Sequence, residues 1–134
     1  MRLRFAAAAS ASLALAGCGL DVQSADLFKV TRSGAGTRPL TLLVNDSGTI
    51  SCDSGKAKPL SDPQLLQARD LADNLNQDVT LRFARNARSV FTYTVQVQKG
   101  TFSFPDTAAS ARKELSQLEL FVVQAAANPC GIGS

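Results

Sequence analysis

Histidine and tryptophan are missing from this 134-residue chain, methionine occurs once, and glutamate is represented only by Glu114 and Glu119. Without an imidazole there is no Ser-His or Cys-His nucleophile pair and no HExxH zinc site. Glu114 and Glu119 are five positions apart, a poor fit to one helical face, so the sequence predicts them as surface charges. No glycine-rich phosphate cradle follows a strand pattern, and the basic residues form no run, which argues against nucleic acid as a partner. Asp46 and Asp53 flank one short strand pattern and offer a formal acid/base pair, yet turns of this composition carry aspartate routinely. The chain is therefore expected to be non-catalytic, with no metal and no cofactor.

Cysteine is also scarce, and its three positions organise the reading. Arg2 and Arg4 open the chain, and Phe5 to Ala16 is then almost wholly small and apolar, too short to span a bilayer but suited to a secretory leader. Leu15-Ala16-Gly17-Cys18 follows. That string resembles the lipobox of bacterial lipoproteins: Leu, a small residue, Gly or Ala, then Cys. The resemblance implies a diacylglycerol thioether on Cys18, cleavage before it, and a location on the extracytoplasmic face of a cell membrane or outer envelope. The alternative is a soluble secreted protein cut after an Ala-x-Ala-like site. Residues 1–17 are thus expected to be a signal peptide, 18–25 a short tether, and 26–134 one domain. Loss of Arg2 and Arg4 with the leader lowers the formal charge from +3 to +1, so the basic pI is no sign of a polyanionic partner.

With Cys18 taken by lipid, Cys52 and Cys130 remain, in an oxidising compartment. A disulfide between them would stabilise the fold by about 4 kcal/mol in the chain-entropy model. Two isolated thiols with neither a CxxC spacing nor a histidine make a poor redox or metal pair.

Hydrophobic periodicity supplies the architecture. Phe28 and Val30 alternate with Lys29 and Thr31; Leu40, Leu42 and Val44 line a second strand; Ile50 and Cys52 share one face of a third. Gly34-Ala35-Gly36 and Asn45-Asp46-Ser47-Gly48 are the turns between them. Asp62 is expected as an N-cap with Pro63 at the first helical position, and Leu65, Ala68, Ala72 and Leu75 form a helical stripe ending near Asn76. Val79, Leu81 and Phe83 alternate and suggest a further short extended segment. Arg82, Arg85 and Arg88 then surround a polar bend, read either as a patch for an acidic partner or as a solvated or membrane-proximal loop. Phe91, Tyr93, Val95 and Val97, followed by Phe102 and Phe104, form an aromatic hairpin turned at Lys99-Gly100. Asp106-Thr107 offers a cap, and Ala111, Leu115, Leu118, Val122 and Ala125 hold a helix through Asn128. Leu120, Phe121 and Val123 widen its apolar surface, either buried or offered to a partner.

The predicted fold is α+β, in the order βββ-α-(β)ββ-α: an antiparallel sheet of about five strands with two helices on one face. Two strings, Val30-Thr31-Arg32-Ser33-Gly34 and Phe91-Thr92-Tyr93-Thr94-Val95, are similar to strand motifs of the emfourin family, small proteinaceous inhibitors of thermolysin-type metalloproteases. Ala35 stands where that family has a second glycine, and Arg88-Ser89-Val90 stands where Pro-Asp commonly precedes the aromatic strand. The whole chain also resembles small lipoproteins of high-GC bacteria. The functional expectation is a lipid-anchored, non-catalytic module that binds a protein or ligand, with protease inhibition as the alternative.

Overall fold

The computed structural model describes residues 26–132. The expected leader, lipobox with Cys18 and tether lie outside the described residues.

Six antiparallel strands form one sheet: β1 Asp26–Gly34, β2 Thr37–Asn45, β3 Thr49–Cys52, β4 Lys58–Pro59, β5 Phe91–Val97 and β6 Gly100–Pro105, in spatial order β4-β3-β2-β1-β5-β6. Helix α1 Asp62–Leu75 follows β4, and α2 Lys113–Ala127 follows β6. The α+β expectation holds, with one strand more than expected before α1 and none between α1 and β5. The extra strand, β4, is two residues long and pairs with β3 through Thr49–Pro59 and Ile50–Lys58, too short to leave a periodic signal. The meander β1-β2-β3 and the hairpin β5-β6 meet across β1 and β5, where Val30 faces Val95 and Arg32 faces Tyr93.

The β1–β2 turn shows why its glycines are there. Ala35 (φ 56°) and Gly36 (φ 64°) both take positive φ, the conformation of the type I′ turn that suits the twist of a two-residue hairpin. Alanine holds the first of these positions at a steric cost that glycine would not incur. Gly34 is required for a different reason: a Cβ there would lie 2.3 Å from the Val90 carbonyl oxygen.

Alternation sets the two faces of the sheet. Phe28, Val30, Leu40, Leu42, Val44, Ile50, Tyr93, Val95, Phe102 and Phe104 are buried, and the stripes of both helices join them in one core. Phe28 meets Phe121 of α2 edge-to-face at 5.6 Å, and Tyr93 stacks on Phe104 at 5.1 Å. The other face carries no helix among the described residues and is rich in hydroxyls. Thr41, Thr31, Thr94 and Ser103 lie in register across four strands, with hydroxyl contacts of 3.2 Å (Thr31–Thr41) and 3.1 Å (Thr94–Ser103).

Both helix starts differ from expectation. Ser61, not Asp62, caps α1: its Oγ accepts from Gln64 N while Gln64 Oε1 accepts from Ser61 N, a reciprocal capping box. Asp62 and Pro63 therefore each sit one position further into the helix than predicted. The second helix does not run from Ala111. A 3-10 turn, Asp106–Ala111, comes first, and the extended Arg112 separates it from α2. Asp106 caps no helix; its carboxylate accepts from Val90 N at 3.1 Å and Phe91 N at 3.2 Å, tying the 3-10 turn to the start of β5.

The end of α2 is fastened to the beginning of α1 and to the β3–β4 corner. Gln64 Nε2 donates to Asn128 O at 2.8 Å, and Lys58 Nζ donates to Cys130 O at 3.3 Å. Cys52 and Cys130 are bridged there, with Cα atoms 5.9 Å apart. The bond closes a loop spanning 78 positions around helix α1, the aromatic hairpin and helix α2. The Cys52→Ala/Cys130→Ala double variant is expected to lose about 4 kcal/mol of unfolding free energy in urea titrations, and dithiothreitol should bring the wild-type protein to the same midpoint. Equal midpoints for oxidised and reduced wild type would show that the bridge adds nothing.

Candidate functional site

Residue Asp78 follows α1 in a 3-10 turn, Asn76–Asp78, and is fully buried at 0% exposure. A carboxylate in that position needs compensation. Arg112 supplies it: Nε lies 3.0 Å from Asp78 Oδ1 and 3.0 Å from Glu114 Oε1. Asp78 Oδ2 meets no donor among the described residues. Protonation removes that defect. Burial, and then the hydrogen bond that a protonated Asp78 gives to Glu114, raise its pKa from 3.8 to about 6. Burial pushes Glu114 upward as well, but the bond from Asp78 and the Arg112 guanidinium outweigh it and leave this carboxyl below its ordinary range. The proton of the pair therefore resides on Asp78, and the trio locks the end of α1 to the start of α2.

Glu119, one and a half turns further along α2, forms a second polar inclusion. Its Oε1 is buried with no hydrogen-bond partner among the described residues, and burial followed by repulsion from Asp106 lifts its pKa to about 7. Burial also raises the neighbouring Tyr93 phenol, with the Glu119 charge adding to the effect. Arg32, opposite Tyr93 on β1, places its guanidinium 4.9 Å above the Phe91 ring. Neither glutamate is the plain surface charge that the spacing predicts. What the spacing omits is tertiary: Asp78 and Arg112 close on Glu114, and the 3-10 turn that carries Asp106 lies near Glu119.

The remaining candidates separate. Asp46 pairs with Arg69 at 2.7 Å, whereas Asp53 Oδ1 accepts from Thr41 N at 2.8 Å, so each carboxylate has its own structural task and the two do not act as a pair. Phe121 is buried against Phe28, leaving Leu120 (53% exposed) and Val123 (54%) as the apolar residues on the outer side of α2. Among the described residues no three His, Cys, Asp or Glu side chains stand together as a metal shell, and no helix is long and apolar enough to cross a membrane. No family model, curated protein or solved structure matches this chain.

The surface clefts are shallow. One of about 480 Å³ lies beside the Asp46–Arg69 pair and is bordered by Asp73, Asn76 and Gln98. Another, of about 420 Å³, lies on the hydroxyl face among Asn45, Thr49 and Ser51. A further one, of about 380 Å³, runs between β6 and the segment Leu81-Arg82-Phe83. That segment is not the strand its alternation suggests. Leu81 N donates to Asp78 O, closing a turn, and Val79 to Phe83 carries no ladder. Phe83 still packs inward against Phe104, with ring centroids 6.3 Å apart, which accounts for the period-two pattern without a pairing partner. Arg82, Arg85 and Arg88 are exposed. Arg82 and Arg85 donate to Leu81 O and to Ser89 O and Thr92 Oγ1 respectively, and none of the three pairs with a carboxylate among the described residues. Sequence reasoning marked these arginines but not the strand edge beside them, since only topology decides which strand ends a sheet.

The two raised carboxyls fix the sign of the pH dependence. Folded Asp78 and Glu119 hold protons more tightly than their ordinary values of 3.8 and 4.5. The stability they contribute is full below those ordinary values and is lost as pH rises through about 6 and about 7. Melting temperature should therefore fall by about 5 °C between pH 5 and pH 8. Glu119→Gln should flatten the upper part of that profile and Asp78→Asn the lower part. A wild-type profile level across this range would mean that both carboxyls are ionised throughout.

Proposed function

We propose that the chain is an extracytoplasmic lipoprotein whose α+β domain, held at a membrane through acylated Cys18, acts by binding a partner rather than by catalysis. The observation that carries this reading is the Cys52–Cys130 bridge. A disulfide suits export to an oxidising compartment, and it accounts for two of the three cysteines, leaving Cys18 for the lipobox. The distribution of chemistry in the domain points the same way. Asp78 and Glu114 are engaged with Arg112 between the helices, and neither lines the clefts on the hydroxyl face and beside β6. Expression of the full chain in a bacterium with a lipoprotein pathway, followed by intact mass measurement, tests the anchor. The expected product lacks residues 1–17 and carries the added mass of a diacylglycerol and an amide-linked acyl chain, and Cys18→Ser should abolish both changes. A soluble, unacylated product cut elsewhere would replace the anchor with plain secretion.

Inhibition of a thermolysin-type metalloprotease is the second reading, and one observation favours it. The two emfourin-like strings form neighbouring strands, β1 and β5, with Arg32 opposite Tyr93 and Gly34 opposite Phe91. The motif residues thus form one continuous patch of sheet. Titrating the oxidised protein against a thermolysin-type enzyme should give stoichiometric loss of proteolysis if this reading holds. Full proteolysis at a large molar excess would remove it and leave the binding module intact.

A further inference from the structure

Strand β6 ends the sheet, and alternation along its ladder says which of its backbone groups are spare. Val97 and Gly100 close the two-residue turn Gln98–Lys99 and are a hydrogen-bonded pair, so Phe102 and Phe104 also bond inward to β5. Thr101 and Ser103 therefore turn their N–H and C=O groups to the outer edge. No backbone hydrogen bond from elsewhere among the described residues reaches either one. The segment after Asp78 runs alongside this edge without pairing. Val79 lies beside Gly100, whose Cβ would come within 3.5 Å of it, and Phe83 packs on Phe104, so the segment travels parallel to β6. Between them lies the cleft of about 380 Å³ lined by Leu81, Arg82, Phe83, Thr101, Phe102 and Ser103.

We propose that this slot is a strand-addition site for an extended, acidic peptide segment of another protein. An incoming strand finds two outward N–H groups and two outward carbonyls at the two-residue spacing that an extended backbone matches. Side chains on its helix-ward side meet Phe83 and the aromatic edge of the core, so apolar residues fit there. Those on the opposite side pass the Thr101 and Ser103 hydroxyls. Arg82 borders the slot, Arg85 is fixed to Ser89 and Thr92, Arg88 follows in the same bend, and no carboxylate neutralises them. That charge selects an acidic segment. A second folded copy fits poorly, because its own β6 edge carries the same Leu81–Phe83 flank and the two flanks would meet. A membrane surface also fits poorly. Thr92 pairs with Ser33, at the end of β1 remote from Asp26, so Arg85 sits away from the point where the described domain begins. The inference rests on the reading of the domain as a binding module, but not on acylation of Cys18.

The test uses the full oxidised protein in neutral detergent and a fluorescent octapeptide of alternating Val and Glu. A Val-Lys octapeptide and vesicles of phosphatidylcholine with phosphatidylglycerol serve as the competing probes. The expected result is saturable micromolar binding of the Val-Glu peptide, with slowed amide exchange at Thr101 and Ser103. Binding of the Val-Lys peptide should be weaker by about tenfold or more. Ser103→Pro removes an outward N–H that β5 does not use, and should weaken binding by about tenfold. Arg82→Glu should reverse the preference between the two peptides. Unchanged exchange at Thr101 and Ser103 under saturating peptide, or no binding at millimolar peptide, would overturn the proposal. So would arginine-dependent binding to the vesicles with none to peptide. The exchange readout in the wild type decides the matter even if Ser103→Pro does not fold, and a negative result leaves the mass of processed Cys18 as a separate measurement.

Discussion

Phe28 and Val30 stand on β1, the strand that pairs with both β2 and β5, and the two helices take their positions from what they bury against that strand. Each of the two partly independent halves, the meander and the aromatic hairpin, has only one apolar face, and neither is stable while that face meets water. The β1–β5 pairing merges the faces into a single floor. α1 and α2 then cover it, with Phe121 seated on Phe28 at the centre. The capping box on α1, the Gln64 bond to the end of α2 and the Cys52–Cys130 bridge fasten the edges of a lid whose driving force is apolar burial at the middle.

That one-sided arrangement explains where the polar chemistry sits. The helix-free face of the sheet needs only to be wet, and its threonines and serines satisfy one another across the strands. The covered face tolerates charge only at its margins. Asp78 and Glu114 are placed where the end of α1 meets the start of α2, and a single guanidinium serves both. Glu119 lacks such a partner and retains its proton toward neutrality instead.

Much of the fold is legible from periodicity, because sidedness was the dominant constraint and period-two and helical stripes report sidedness directly. Leu40, Leu42 and Val44, or Leu115, Leu118 and Val122, say which way a strand or helix faces. Periodicity says nothing about what lies beside a segment. Val79, Leu81 and Phe83 alternate as a strand does, yet they line an edge without bonding to it, since Phe83 needs only Phe104 beneath it. The cap of α1 is misplaced by one residue because Ser61, Asp62 and Pro63 all suit a helix start, and the choice falls to the residue that Gln64 can reach back to. The carboxylates of α2 escape notice for a third reason: their burial is imposed by chain far away in sequence. The candidate site divides likewise. The arginines are visible as residues, whereas the free groups of Thr101 and Ser103 follow only from strand order.

The place of β1 in the strand order has a mechanical side. Asp26, where the described domain begins, opens a strand that is hydrogen-bonded along both of its edges. A pull applied there, against a load held at the far end of the sheet, acts along the axis of β1. The ladders to β2 and β5 are then sheared together instead of being peeled apart one rung at a time. An outer strand loaded in the same direction would resist with one ladder, whereas β1 resists with two.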